Sequence, residues 1–320
     1  MANPSERSSV PRPLGDDAHA PPSGGHDAAA SFEPHRKFLV GLAYRMLGSI
    51  AEAEDVVQDA FLRWNAADRA SVAEPRAFLA RTASRLCLDR MKSARSRREQ
   101  YVGTWLPEPV LDATPGMTAP AAAGEPDRAL GLAEDVSYAL LMTLERLSPL
   151  ERAAFLLHDV FDMDYGDIAD VLDRSEGACR QLVARGRDHV RDQRPRFEPD
   201  PEASARLATA FHAALIHGNV PALAQLLAED AVFYSDGGGK RNAALNPLYG
   251  RDKIMRFVAG LAAKGWLRTP IHAEPAQING SYGFVLRGDE GIETLAIDVS
   301  GVRIAAIYAV RNPDKLRHIS

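Results

Sequence analysis

The groups in this chain whose spacing can do chemistry are two clusters of arginine and one short run of carboxylates and amides. Over positions 76–98, Arg76, Arg81, Arg85, Arg90, Lys92, Arg95, Arg97 and Arg98 meet the single acid Asp89. Over positions 174–196, Arg174, Arg180, Arg185, Arg187, Arg191, Arg194 and Arg196 outnumber Glu176, Asp188 and Asp192, and the stretch just before them is acidic. Cations repeated along one side of a helix make a rail for nucleic-acid phosphates. The whole chain carries a net charge of −5 over 320 residues, so these basic surfaces are local, which suits phosphate contacts with restrained non-specific binding. The third group is Asp55, Gln58, Asp59 and Leu62, which share one side of a helix that has no lysine. Such a face suits docking against a basic protein surface.

Enzyme chemistry has far less support. His212 and His217 do not share a helix face and make no metal pair, no HExxH or CxxC spacing occurs, and Gly280-Ser281-Tyr282-Gly283 lacks the spacing of a nucleophile elbow. No catalytic residue, metal ligand or cofactor is expected; His212, Tyr234, Asp236, His272 and Tyr282 are what a pocket in the last third would offer. Asp236-Gly237-Gly238-Gly239-Lys240 reads as a flexible turn between strands, as a docking or regulatory loop, or as a nest of backbone N–H groups for an anion. Cys87 and Cys179 each sit in an apolar helical pattern, which points to buried thiols rather than a disulfide.

Positioning these groups requires helices. Ala51–Trp64 carries an apolar stripe of Val57, Ala60, Phe61 and Trp64, and the apolar helix Phe38–Leu47 precedes it. Pro75 fits the first turn of a long helix ending near Arg98, with Phe78, Leu79, Ala83, Leu86 and Met91 inward and Arg81, Arg85, Lys92 and Arg95 outward. Positions 102–131 form a linker rich in Pro, Ala and Gly, in which Trp105-Leu106-Pro107-Glu108-Pro109 is an aromatic island expected to dock. Ser148-Pro149-Leu150-Glu151 has the residues of a capping box. The short helix Tyr165–Leu172, the turn Asp173-Arg174-Ser175 and the basic helix from Glu176 to about Arg191 make a helix-turn-helix with a core of Ile168, Leu172, Cys179, Leu182 and Val183. Arg174, Ser175, Glu176, Arg180 and Gln181 lie at the outer start of the second helix, where bases are read, with Arg185 and Arg187 nearer phosphates.

The remainder, 199–320, changes character. Helices over Pro201–His217, Val220–Leu227 and Asp252–Ala262 combine with strand-like runs at 231–235, 283–286, 294–299 and 304–310, predicting an α+β unit with an antiparallel sheet. The chain is thus expected to be multidomain: two all-α modules at 32–101 and 132–197, then this unit. Residues 1–31 read as a disordered tail. No apolar run approaches the ~18 residues of a membrane span and no secretory signal opens the chain, so a cytoplasmic protein without a membrane partner is expected.

Phe38–Leu47, Ala51–Trp64 and the basic helix after them resemble region 2 of the sigma-70 superfamily, in the extracytoplasmic-function (ECF) class, and the helix-turn-helix resembles region 4. The order region 2, linker, region 4 makes the pairing specific. WLPEP at 105–109, DGGGK at 236–240 and Asn312-Pro313-Asp314-Lys315-Leu316 resemble hallmarks of the SigJ-like ECF group, which carries an additional C-terminal SnoaL-like domain, a cone-shaped sheet with helices. The resemblance implies a non-enzymatic subunit of transcription initiation. Asp55, Gln58, Asp59, Phe61 and Leu62 would engage the β′ clamp helices of core RNA polymerase, with a further contact to the β flap. Region 2 would read the −10 element of promoter DNA through Arg81, Arg85, Lys92 and Arg95, and region 4 the −35 element. The added domain would regulate in cis through Trp105, Leu106, Pro107, Asp236, Gly237, Gly238, Gly239, Lys240, Asn312, Asp314 and Lys315, with no separate anti-sigma factor required and a small-molecule ligand possible. Two other readings compete: a one-component, ligand-responsive helix-turn-helix regulator, and a small-molecule enzyme with an accessory helical domain.

Overall fold

The computed structural model describes residues 24–111, 137–191, 201–265 and 272–319. Three helices open it: α1 (Gly24–Leu47), α2 (Ile50–Ala66) and α3 (Pro75–Glu99). The expected disordered tail is corrected at its end, because residues 24–31 belong to α1. Ala28 and Phe32, one helical turn apart, are buried; Phe32 meets the Phe61 ring edge-on at 5.1 Å, and the Trp64 indole N–H donates to Ser31 Oγ at 3.1 Å. Residues 1–23 lie outside the described part. Between α1 and α2, Gly48 takes a left-handed φ of 69°, and Ser49 caps α2 by accepting from the Glu52 N–H at 3.2 Å.

The second helical unit comprises α4 (Tyr138–Leu144), α5 (Pro149–Phe155), a wide helical turn over 156–160, α6 (Tyr165–Leu172) and α7 (Glu176–Arg191). The capping box at the start of α5 forms as expected. Asp173 closes α6 in the left-handed conformation with φ 55°, a geometry the short polar side chain of Asp tolerates. Ile168, Leu172, Cys179, Leu182 and Val183 are buried together. The two helical units are not separate: their buried side chains form one continuous core. Phe161 packs edge-on against Phe38 of α1 with centroids 4.9 Å apart. Arg152, 1% exposed, runs from α5 to the end of α1, donating to Met46 O and to Glu145 Oε1, both at 2.7 Å. A cation on the open carbonyls at a helix C-terminus is favourable.

The third unit contains α8 (Pro201–Ile216), α9 (Val220–Leu226), β1 (Leu227–Asp236), β2 (Leu248–Tyr249), α10 (Arg251–Ala263), β3 (His272–Ile278), β4 (Ser281–Gly288), β5 (Gly291–Ser300) and β6 (Arg303–Val310). The sheet order is β2-β1-β6-β5-β4-β3. It is α+β as expected but not wholly antiparallel: β1 and β6 run parallel, with Tyr234 opposite Tyr308 and Asp236 opposite Val310. The expectation also lacked β3, whose Pro275 and polar residues argue against a central strand; β3 is an edge, where a missing N–H is tolerated. Strand alternation gives the sheet two working faces. Phe233, Leu286, Leu295, Ile297 and Ile307 point under the helices, while Val285, Ala296, Tyr308 and Val310 form the other face with Leu106 and Tyr138.

Candidate polymerase, promoter and linker sites

On α2, Ala53, Val56, Val57, Ala60 and Trp64 are buried, which turns Asp55, Gln58 and Leu62 outward; Leu62 is 57% exposed. The residues expected to form a docking face are therefore open to solvent, apart from Asp59 and Phe61. Asp59 is half-buried and takes an ion pair from Arg90 of α3 at 2.7 Å, and Asp55 lies 3.8 Å from the same guanidinium. Phe61 is the expected residue that departs most from this face, since its ring is turned toward Phe32.

The arginines of α3 are expected outward, and Arg85 is exposed and Arg81 half-buried, but the heads of both are engaged by α6. Arg81 pairs with Asp170 at 2.9 Å. Arg85 donates to Val171 O and Asp170 O, both at 3.3 Å. Both cations therefore sit at the C-terminal end of α6, where the helix dipole and open carbonyls attract them. Periodicity placed these side chains off the first unit's own core, and nothing local in sequence shows that a helix 85 residues away fills the space. Lys92 is exposed and pairs with Asp89 at 2.9 Å; the side chain of Arg95 lies outside the described residues.

On α7, Arg174, Ser175, Glu176, Arg180, Gln181, Arg185 and Arg187 are all exposed, as expected. Ser175 caps the helix, accepting from the Ala178 N–H at 3.3 Å. Arg180 pairs with Glu176 at 2.7 Å. Arg185 reaches Glu151 at 3.1 Å, and Arg187 makes a two-pronged pair with Asp159 at 2.6 and 2.7 Å, which holds its guanidinium pKa above the usual value. The two arginines expected nearer phosphates are thus paired with acids of their own unit. Cys87 and Cys179 are buried free thiols, and burial pushes Cys87 up to about 12, far from thiolate reactivity.

The densest polar arrangement joins the linker to the third unit. Asp236 is fully buried at the end of β1. It accepts from Tyr101 Oη at 2.5 Å, from the Leu106 N–H at 2.8 Å and from Lys315 Nζ at 2.7 Å. Lys315 also donates to Leu106 O, and its ammonium sits 4.1 Å from the Trp105 ring centroid. Asn312 Nδ2 donates to Tyr101 Oη at 2.8 Å, and Lys240 pairs with Asp314. The glycines of DGGGK are required by fit as well as by turn geometry: a Cβ on Gly238, at φ 58°, would lie 2.2 Å from Asn312 Nδ2, and one on Gly239 would press on Val102. The flexible-turn reading is therefore corrected; the loop is packed against Tyr101 and Val102. Leu106 and Pro107 are buried with it.

The other side of the linker holds the start of α2. Glu108 accepts from Ser49 Oγ at 2.8 Å and from the Ile50 N–H at 2.7 Å, and its own N–H donates to Gly48 O at 2.9 Å. Trp105 lies over Gly48, where an added Cβ would come 2.5 Å from the ring. Asn279 exchanges hydrogen bonds with Val110, its side-chain oxygen accepting the Val110 N–H at 3.0 Å, and donates to Tyr44 Oη at 2.8 Å. Tyr138 of α4 stacks on Tyr308 of the sheet at 4.8 Å. Glu108, Tyr101, Asn279, Tyr138 and Arg152 were not among the expected site residues. Glu108 alone carried a signal, as the single charge inside an otherwise apolar island.

Among the described residues no helix is long and apolar enough to cross a membrane. Residues 32–97 match the model of Sigma-70 region 2 and residues 137–190 that of Sigma-70 region 4. The ECF RNA polymerase sigma factor SigJ of Mycobacterium tuberculosis is 38% identical over 298 residues, covering 89% of this chain and 92% of that one. A probable ECF sigma factor of the same organism, SigI, is 32% identical over 91% of this chain and 96% of its own length. The crystal structure of M. tuberculosis SigJ superposes with a TM-score of 0.72 at 35% identity, covering 90% of this chain and 98% of that one. Agreement over region 2, region 4 and the sheet unit together leaves no room for a one-component regulator or an accessory-domain enzyme. The chain belongs to the ECF sigma factors, the non-enzymatic subunits that bind core RNA polymerase and direct it to promoter DNA.

Proposed function

We propose that the closed packing of regions 2 and 4 is the resting form of this sigma factor, held in cis by the C-terminal domain, and that activation separates them. The observation that carries this reading is the position of Arg81 and Arg85, both engaged by the end of α6. Two promoter elements at separate places on DNA need modules that can move apart, and packing of α6 on α3 fixes the distance between the two reading faces. On opening, Arg81 and Arg85 leave α6 and join the already exposed Lys92 at the −10 element, and the outer face of α7, exposed in the closed form as well, is free to move to the −35 element. The face of α2 carrying Asp55, Gln58 and Leu62 stays open throughout, so the β′ clamp helices can be met before the promoter is read.

The C-terminal domain has a hold on each module. Its Asp236, Asn312 and Lys315 bind the linker, whose Glu108 caps α2 of region 2, and its Tyr308 stacks on Tyr138 of region 4. An intramolecular clamp of this kind does the work of a separate anti-sigma factor. A bias of about 2.7 kcal/mol towards the closed form lowers the open population by ~100-fold, and loss of a buried, stacked tyrosine is of that order. The test is in vitro transcription with core polymerase and the full chain, comparing the parent with Tyr138→Ala. Initiation at limiting protein rises about tenfold or more with core affinity unchanged; unchanged or lower initiation at equal core affinity defeats the proposal.

A further inference from the structure

We propose that Arg90 of α3 is a specificity-determining residue for the docking of this chain on core RNA polymerase: it sets the charge of the α2 face by engaging two of its carboxylates. The inference rests on the assignment of that face to the β′ clamp helices and goes beyond it, since Arg90 belongs to a different helix. Glu52, Asp55 and Asp59 stand at i, i+3 and i+7, so they share one stripe of α2. A single guanidinium spans that stripe. Arg90 Nη2 donates to Asp59 Oδ2 at 2.7 Å, Nη1 donates to Glu52 O at 2.8 Å, and Nη1 lies 3.8 Å from Asp55 Oδ2. No other cation of the described residues reaches either carboxylate.

The contacts make Arg90 a settled part of this surface. The Glu52 carbonyl belongs to the helix backbone and cannot turn away, so the guanidinium is held at that point while its other nitrogen engages Asp59. Exposure is uneven along the stripe: the Arg90 side chain is 26% exposed, Asp59 45% and Asp55 68%. An incoming cation therefore meets Asp55 open, and reaches Asp59 only in competition with a guanidinium already seated there. Charge at the edge of an interface changes the rate of encounter and its salt dependence more than the lifetime of the complex. Arg90 thus damps the attraction of α2 for basic surfaces in general and leaves discrimination among them to Gln58 and Leu62, which are exposed on the same helix. An ion pair this wet contributes little to stability, so the fold survives its removal and the effect on docking can be read by itself.

The experiment measures association of the full-length chain with immobilised core RNA polymerase by biolayer interferometry, at low and at high salt. The parent is compared with Arg90→Gln, Asp59→Asn, the double variant Arg90→Gln/Asp59→Asn, and Asp55→Arg. Arg90→Gln associates about two- to fivefold faster than the parent at low salt, and most of that gain disappears at high salt. Asp59→Asn associates more slowly, and the double variant, whose face carries the parent's net charge, returns to the parent's rate. A purely structural staple predicts a different pattern, in which Arg90→Gln and the double variant are both slower than the parent. Equal or slower association of Arg90→Gln, or a double variant that keeps the whole gain, overturns the role of Arg90 while leaving α2 as the docking face, provided that Asp55→Arg loses capture of core. Undiminished capture by Asp55→Arg removes the docking face itself, and this proposal with it.

Discussion

At the linker node a carboxylate and an ammonium are both withdrawn from water, the Asp236 side chain wholly and that of Lys315 to 9% exposure. Where α3 meets α6 the charges stay wet, with Arg81 and Asp170 side chains 40% and 67% exposed. The first pair is ringed by Tyr101, Leu106 and Asn312, so its desolvation is offset only while every partner remains in place. The second exchanges protein for water at almost no cost and is screened by salt. The contrast teaches where this molecule is fastened and where, in the proposed opening, it would part: the linker is fixed to the C-terminal domain by buried charges, and the arginines proposed to meet the promoter are held by wet contacts.

The largest effect expected at the fixed end is that of Asp236→Ala, which leaves the Lys315 ammonium buried without its counter-charge and costs about 3–5 kcal/mol in chemical denaturation. A loss below 1 kcal/mol erases the distinction between the two contacts. Gly48→Ala comes next: it adds a side chain at a left-handed φ and against the Trp105 ring, with about 1–2 kcal/mol of destabilisation and a red-shifted Trp105 emission as the ring is pushed into water. Unchanged emission means that Trp105 is not seated on the α1–α2 turn. Asp170→Asn at the other end changes stability by less than about 1 kcal/mol, yet raises initiation in vitro several-fold at low salt, because it loosens α6 from Arg81. Equal initiation at low and high salt in parent and variant removes Arg81 from the closed form.

A second, half-buried carboxylate on the same sheet face sharpens the comparison further. Among the described residues Asp298 has no cation partner; it accepts from the hydroxyls of Ser281 at 2.5 Å and Tyr308 at 3.1 Å, and desolvation raises its pKa against the lowering effect of those two hydrogen bonds. The folded state thus binds this proton more tightly than the unfolded chain, so its stabilising contribution is complete below the unfolded carboxyl range near 3.8 and is lost as pH rises through the raised value. Stability of the parent relative to Asp298→Asn therefore grows as pH is lowered from 7 toward 4. A difference that stays flat or shrinks on acidification contradicts the desolvated setting of Asp298.

How much of this was legible in the sequence depends on the range of the interaction. The capping box at Ser148 and Glu151, the buried face of α2, and the helix-turn-helix core all follow from residues within a few turns of one another, and each is found where periodicity and cap chemistry put it. The motif strings 105–109, 236–240 and 312–316 were also visible, but not that they meet. Tyr101 bonds Asp236 across 135 residues, Lys315 bonds Leu106 across 209 and Asn279 bonds Tyr44 across 235.

By itself, then, the amino-acid order determined the helices, their apolar sides, the two arginine-bearing surfaces and the family, because those are properties of short windows and of motif order. Only the tertiary structure decided that the end of α6 engages Arg81 and Arg85, that Glu108 caps α2, that Arg152 is buried against the end of α1, and that alternate residues of β1 and β6 hold the linker on one face and line a cavity on the other. The physical reason is that a charge or a cap is satisfied by whichever partner the closed chain brings within hydrogen-bonding distance. That partner is chosen by the packing of whole elements, not by the residues beside it.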